Sequence, residues 1–103
     1  MEIPVSITGN GKCLSFEYQI SSPRIELVVY ELQTGKTEYS NIEGLKYTDQ
    51  ETIGRWNYIE IALNSDVEAV QLVAKKTGVT TNVEYVLVDV IGIDPCFILG
   101  NVL

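Results

Sequence analysis

Residues 82–96, with the sequence NVEYVLVDVIGIDPC, are the most informative stretch of this chain. Apolar side chains fall on both parities of the stretch: Val83, Tyr85, Leu87, Ile91 and Ile93 on one, and Val86, Val88 and Val90 on the other. A strand that is apolar on both faces is normally covered on both faces. The pattern therefore predicts a strand in the middle of a sheet. Pro95 cannot donate a hydrogen bond to a neighbouring strand, so we expect the strand to end there.

The two cysteines flank this arrangement. Cys96 follows the predicted buried strand directly, and Cys13 lies at the entrance of an earlier one. A bridge between them would close a sandwich of strands. Two cysteines in a short chain fit either one disulfide or two unrelated thiols, and their spacing is not that of a metal site. The spacing alone leaves both possibilities open.

Working outward, turn signals recur about every eight to twelve residues, which is typical of an all-β domain. Pro4 predicts that the first strand lies at a sheet edge. Residues 41–54 are polar with two glycines and predict a long loop, with at most a short strand over 45–47. The other predicted strands cover residues 2–8, 12–20, 24–33, 37–40, 55–63, 67–76 and 82–96.

Two of these segments show how the choice between strand and helix is made. In 12–20, KCLSFEYQI, the large apolar side chains alternate strictly, whereas a helix would scatter them around its circumference. In 67–76, VEAVQLVAKK, good helix formers make a helix a real competitor. The β-branched valines and the surrounding strands favour a strand. We therefore predict one all-β domain over residues 1–103, an antiparallel, jelly-roll-like β-sandwich of seven to eight strands.

Composition excludes several classes of function. The net charge is −7 with only seven Lys and Arg, which argues against nucleic acid and anionic membrane surfaces as partners. No apolar run approaches the roughly 18 residues of a membrane helix, so no membrane insertion is expected. The segment Met1–Pro4 lacks the basic start and apolar block of a signal peptide.

Candidate catalytic chemistry is sparse. The chain has no histidine, no nucleophile elbow, no phosphate-binding glycine loop and no paired CxxC, so we expect neither an enzyme nor a cofactor. Asp89 is the one acid inside the apolar stretch. It could cap backbone N–H groups or pair with a base, or it could bind calcium with help from Glu84 or Asp94. Calcium usually takes six or more oxygens and no dense carboxylate loop exists, so Asp89 is only a weak metal candidate.

The aromatic residues carry the remaining signals. Trp56 at a strand start is expected to pack in the core, with a sugar-stacking platform as the alternative. Tyr18 and Tyr58 are also expected to be core-associated. Tyr30, Tyr39 and Tyr47 could lie on an exposed face, where tyrosine favours recognition, and they form a candidate binding surface.

Several segments in order resemble a MAM domain. CLSF at 13–16 and LVVYEL at 27–32 are similar to the family's Cys-Leu-x-Phe strand and the following strand ending in Val-Tyr. The remaining matches are Gly54-Arg55-Trp56 leading into IEIAL, VEAVQLVAKKTG at 67–78, and VLVDVIGIDPC at 86–96, which resembles the closing run that ends in cysteine. The resemblance spans 13–96. It lacks the family's first half, and Val90 stands where the closing run has its second Asp.

MAM domains are extracellular jelly-roll modules of cell-surface receptors and adhesion proteins, so the resemblance implies a receptor ectodomain or adhesion module with a protein partner, often another copy of the same protein. It also implies a disulfide between Cys13 and Cys96. The leading expectation is thus a non-enzymatic extracellular recognition module that binds through a sandwich face or loops. Two alternatives stay open: a carbohydrate-binding jelly roll in which Trp56 or several tyrosines form an exposed stacking platform, and an assembly subunit that pairs through the apolar segment 97–103.

Overall fold

The computed structural model of the chain describes residues 2–4, 12–47, 53–64, 66–78 and 84–96. These residues form seven strands and no helix. The strands are β1 (Glu2–Pro4), β2 (Lys12–Ile20), β3 (Ile25–Gln33), β4 (Ser40–Leu45), β5 (Asn57–Ala62), β6 (Val67–Lys76) and β7 (Val86–Pro95). The segment 97–103, on which the assembly alternative depends, lies outside the described residues.

The strands form two antiparallel sheets, with the order β1-β6-β3-β4 in one and β5-β2-β7 in the other. Each sheet turns one row of apolar side chains toward the other, so the predicted antiparallel β-sandwich is confirmed. The core combines Leu14, Phe16, Tyr18 and Ile20 of β2 with Ile25, Leu27 and Val29 of β3 and Val67, Val70 and Leu72 of β6.

The segment 67–76 is a strand, which confirms the sequence prediction that preferred a strand to a helix. As β6 it pairs with β3 along most of its length and with β1 over residues 69–71, so its middle has a neighbouring strand on each side. Val70 and Leu72 are buried in the core. Sheet pairing and burial thus decide the conformation against the moderate helix propensity of the segment.

The predicted loop over 41–54 is wrong at its start. Residues Ser40–Leu45 form β4, which pairs with β3, while Tyr47 already lies beyond the strand. Within the described residues β4 is an edge strand that turns Asn41 and Gly44 to solvent and buries Leu45. An edge strand with one side exposed to solvent has a polar composition. Because of that composition, the sequence pattern of this segment predicts a loop and not a strand.

The prediction that 82–96 forms a central strand covered on both faces is wrong. Among the described strands, β7 pairs only with β2 and so lies at the edge of the three-stranded sheet. Leu87 and Ile91 are exposed, and Val90 is 67% exposed. The middle position belongs to β2, whose sequence shows plain alternation.

A β-bulge explains the misleading pattern. Glu17 lies opposite Asp89 and Ser15 lies opposite Gly92, so Val90 and Ile91 together face the single residue between Ser15 and Glu17. The extra residue reverses the alternation of β7 at this point. Val86 and Val88 before the bulge and Ile93 after it consequently pack against the same core, although they have opposite parity. Apolar residues at both odd and even positions of β7 therefore indicate a bulge that returns them to one core-facing side. They do not indicate a strand buried on both faces.

Cys13 and Cys96 are joined by a disulfide with a Cα–Cα distance of 4.9 Å, as the family resemblance implies. Its position differs from the sequence prediction in one respect. Cys13 lies opposite Asp94, so the bridge links two neighbouring strands of the same sheet. It fastens the end of β7 to β2 and does not close the sandwich from one sheet to the other.

Candidate interaction surface

The three tyrosines of the predicted binding surface lie in different surroundings. Tyr30 lies on the outer side of the four-stranded sheet, where the Lys75 ammonium is 5.3 Å from its ring centre. Tyr39 is half-buried and its hydroxyl is enclosed by protein. Tyr47 turns toward the interior. The role of these residues in binding stays a prediction, but they do not form one continuous exposed aromatic patch.

Tyr47 has a structural environment. Its ring stacks on that of Tyr18 with centroids 5.9 Å apart and planes 9° from parallel, and the two hydroxyls are hydrogen-bonded. Burial raises the pKa of the Tyr47 hydroxyl. Tyr18 itself is buried in the core, as predicted. The pair ties the segment that follows β4 to the opposite sheet.

The weak calcium candidate, Asp89, does not belong to a cluster of metal-binding side chains within the described residues. Asp89 is exposed, and its Oδ1 accepts a hydrogen bond of 2.8 Å from the backbone N–H of Val90. Glu84 is engaged with Lys76 at 3.4 Å. No group of three or more His, Cys, Asp or Glu side chains within the described ranges is arranged to hold a metal ion.

Glu84 instead holds together three parts of the fold. The Ser22 hydroxyl lowers the pKa of Glu84 by hydrogen bonding, Lys76 and Arg24 lower it further, and burial opposes them. The Ser22 hydroxyl also accepts a hydrogen bond from the backbone N–H of Arg24. Glu84 thus connects the approach to β7 with the end of β6 and the turn between β2 and β3.

The expectations for Trp56 and Tyr58 are wrong. Trp56 is 50% exposed and Tyr58 is 64% exposed, so neither packs fully in the core. The alternation of β5 explains Tyr58, because its neighbours Ile59 and Ile61 take the inward positions. The sequence signal that identifies Tyr58 as outward is its parity with Glu60, which the aromatic character of the side chain outweighed.

These exposed aromatic residues belong to the outer face of the three-stranded sheet. We call this surface the aromatic–acidic face. It consists of Glu17 and Gln19 on β2, Trp56 just before β5, Tyr58 and Glu60 on β5, and Leu87 and Asp89 on β7. Strand alternation gives the six strand residues the outward side, opposite the core row of Leu14, Phe16 and Tyr18, and Trp56 is exposed just before β5.

The strand register fixes the arrangement of the aromatic–acidic face. Glu17 has Tyr58 directly opposite on one side and Asp89 directly opposite on the other. Gln19 has Leu87 opposite on β7, and its amide nitrogen donates to the Gly54 carbonyl oxygen near Trp56. Neighbouring strands lie about 4.8 Å apart, so the face is roughly 10 Å wide from β5 to β7.

The charged side chains of this face are all negative. Glu17, Glu60 and Asp89 all project from it, and no Lys or Arg occurs among the outward-facing residues that the structure describes on β2, β5 and β7. Glu17 and Asp89 carry like charges directly opposite each other on β2 and β7. Such an arrangement is unfavourable for a strand pair. The face therefore combines exposed aromatic surface with concentrated negative charge.

The outer side of the other sheet has a different character. Lys75 lies directly opposite Glu26 and also contacts Tyr30, so its charges and its aromatic ring have partners within the fold. Val28 on the same side is buried. A cavity of about 270 Å³ near the β3–β4 turn is open and polar, with Gln33, Lys36, Thr37, Glu38 and Ser40 around it. Neither feature matches the exposure of the aromatic–acidic face.

No protein-family model matches the chain, and comparisons with curated proteins and with solved structures found no significantly similar protein. Within the residues that the structure describes, no helix is long and apolar enough to cross a membrane.

Proposed function

We propose that this protein is a non-enzymatic, extracellular recognition module that binds another protein through the aromatic–acidic face. The observation that carries the proposal is the exposure of Trp56, Tyr58 and Leu87 on one side of one sheet. Protein interfaces are enriched in tyrosine and tryptophan, and exposed apolar clusters with polar surroundings mark interaction sites. Six of the seven residues of the face lie on paired strands, which hold binding side chains in fixed positions.

The disulfide supports the proposed location. Bridges such as Cys13–Cys96 persist in oxidising compartments and are rare in the cytosol. The MAM-like, jelly-roll connectivity and a role in cell adhesion are part of the same proposal. They rest on the sequence resemblance over 13–96, and the antiparallel sandwich and the disulfide are compatible with them.

Carbohydrate binding is the second candidate. Trp56 is 50% exposed, and Tyr58 follows it two residues later on the outer side of the sheet. Aromatic rings with neighbouring carboxylates and amides, here Glu17 and Gln19, are suited to stack on a sugar and bind its hydroxyls. Protein recognition is favoured because exposed Leu87 and the combined charge of three carboxylates suit a protein partner better than a neutral sugar.

Photo-crosslinking tests the main proposal. A benzoylphenylalanine at position 58 should form a discrete protein adduct when the domain is irradiated on cells or extracellular material of its source organism. The same group at position 30, on the other sheet, is the matched control and should give no adduct. Excess wild-type domain should abolish the adduct, whereas excess Tyr58→Ser/Leu87→Ser domain should not.

An oligosaccharide array distinguishes the second candidate. Binding of the wild type that disappears in Trp56→Ala, without a protein adduct from position 58, would favour carbohydrate recognition. An adduct that forms equally from positions 58 and 30, or that survives competition by the wild type, would contradict recognition through this face. The absence of both adduct and oligosaccharide binding would do the same.

A further inference from the structure

The aromatic–acidic face has the chemistry to recognise a basic partner. We infer that its occupant is an extended protein segment with arginine or lysine at alternate positions. This inference rests on the proposed function and specifies the partner's chemistry. It follows from the charge of the face, from the position of its aromatic rings and from the repeat distance along its strands.

The carboxylates supply the first argument. Glu17 and Asp89 lie directly opposite each other, and Glu60 is the diagonal neighbour of Glu17 across the β2–β5 pair. Directly opposite residues are about 5 Å apart and diagonal ones about 7–8 Å, so the three charges repel one another. The described outward side chains of this sheet include no cation to relieve that repulsion. A bound cationic side chain would do so.

The exposed aromatic residues supply an independent argument. Tyr58 lies opposite Glu17, and Trp56 precedes it at the same end of the sheet. A guanidinium or ammonium group near Glu17 would also reach the face of an aromatic ring, where cation–π attraction adds to the ion pair. Leu87, 43% exposed, offers apolar contact to the methylene stem of the same side chain.

The spacing argues for an extended segment. Residues two apart on a strand, such as Tyr58 and Glu60, are about 7 Å apart along the sheet. Alternate side chains of an extended peptide have the same repeat, so two basic residues separated by one would meet successive rows of the face. The net charge of −7 adds long-range attraction for such a segment and repels acidic ones.

The test uses a blocked peptide of alternating glycine and arginine, acetyl-GRGRGRG-amide, with citrulline replacing arginine in its uncharged counterpart. In a titration followed by ¹H–¹⁵N NMR, the largest shift changes should occur at the backbone amides of Glu17, Tyr58 and Asp89. Affinity should fall at least tenfold between 50 and 500 mM salt, since exposed charge pairs are screened. The citrulline peptide should not bind.

Two triple variants separate local recognition from overall charge. Glu17→Gln/Glu60→Gln/Asp89→Asn neutralises the face and should weaken binding of the arginine peptide at least tenfold. The matched control, Glu38→Gln/Asp66→Asn/Glu68→Gln, changes the net charge equally at exposed positions elsewhere and should stay within twofold of the wild type. Both variants should keep the dispersed NMR spectrum of the folded domain.

The outcomes also separate this inference from the proposed function. Equal weakening in both triple variants, shift changes away from the face, binding of the citrulline peptide or no binding of the arginine peptide would each overturn the inference. If position 58 still crosslinks a protein and neutralising the face does not weaken that contact, the recognition surface stands and only its basic partner fails. If position 58 forms no specific adduct, the proposed function fails as well.

Discussion

Val90 has a backbone conformation that its side chain disfavours. Its φ is +52°, in the left-handed region, where a β-branched residue is rare and costs about 1–2 kcal/mol. The residue sits in the bulge of β7 and is largely exposed, so its side chain gains little by burial. The strain is accepted because the bulge turns the apolar residues on both sides of it toward one core.

Replacing Val90 by glycine should therefore stabilise the protein. We expect Val90→Gly to raise the free energy of unfolding by about 1 kcal/mol, since relief of the left-handed strain exceeds the entropy that glycine adds to the unfolded chain. Urea denaturation measures the change. Leu87→Gly on the same strand, where φ is not positive, is the control and should destabilise. A loss of stability in Val90→Gly would contradict the strained bulge.

The Tyr18–Tyr47 pair offers a second test on single residues. Tyr47→Phe leaves the buried Tyr18 hydroxyl without its partner and should cost about 1–3 kcal/mol of unfolding free energy. The double variant Tyr18→Phe/Tyr47→Phe should cost less than the sum of the two single changes, because it removes both polar groups together. Thermal and denaturant unfolding of all four proteins would check this, and strict additivity would rule out the hydroxyl contact.

Among the elements, β7 depends on contacts at its start as much as on its ladder. The N–H of Tyr85 donates to the Ser21 hydroxyl, the N–H of Ser21 donates to the Tyr85 carbonyl oxygen, and Glu84 contacts Lys76. These bonds align the strand with the turn between β2 and β3. Within the described fold, β7 has backbone hydrogen bonds to a neighbouring strand on one side only. Contacts at its start therefore add to the stability of this bulged edge strand.

Glu84 should make stability depend on pH. Its folded pKa is lowered, so the carboxylate stabilises the fold above its unfolded pKa, and this contribution is lost as the pH falls through the folded value. We expect Glu84→Gln to lower the melting temperature at pH 7. The variant and wild type should converge as the pH falls below the ordinary glutamate pKa of about 4.3.

Melting curves between pH 2.5 and 7 measure that convergence. The control is Glu38→Gln, an exposed glutamate in the β3–β4 connection, whose melting temperature should follow the wild type at every pH. A gap between Glu84→Gln and the wild type that stays constant over the whole range would show that the ionised carboxylate is not the stabilising species.

For the whole molecule, the disulfide restricts the unfolded chain more than it shapes the folded one. The bonded cysteines are 83 residues apart in sequence. On the chain-entropy account, a loop of this length stabilises by about 4–5 kcal/mol. We expect Cys13→Ala/Cys96→Ala to lose about 4 kcal/mol of unfolding free energy, measured by denaturant titration with and without reductant.

Reductant should destabilise the wild type by a similar amount and leave the double variant unchanged. The variant should retain the strand pairing of the sandwich, because β2 and β7 are also joined along most of their length by backbone hydrogen bonds. A wild type that is insensitive to full reduction would contradict a stabilising role for the bridge.

The candidate surface shows what sequence reasoning reached and what it missed. The alternation in 12–20 correctly gave Leu14, Phe16 and Tyr18 the inward side, and by the same parity it gave Glu17 the outward side. Aromatic character predicts that Tyr58 and Trp56 pack in the core, but both are exposed, and the parity of Tyr58 with Glu60 already indicates the outward side. Glu17 and Asp89 meet only through the register of β2 with β7, which no local pattern encodes.

The sequence by itself determined that this is an antiparallel β protein, because side-chain alternation and turn residues are local properties that act within a few positions of one another. It also determined which row of β2 is apolar. Only the tertiary structure decided that the doubly apolar strand lies at an edge with a bulge, that the bridge joins neighbours within one sheet, and that three carboxylates and two aromatic rings share a face. The physical reason is that strand order and register are set by long-range packing and hydrogen bonding, where a shift of one residue exchanges the two faces of a strand.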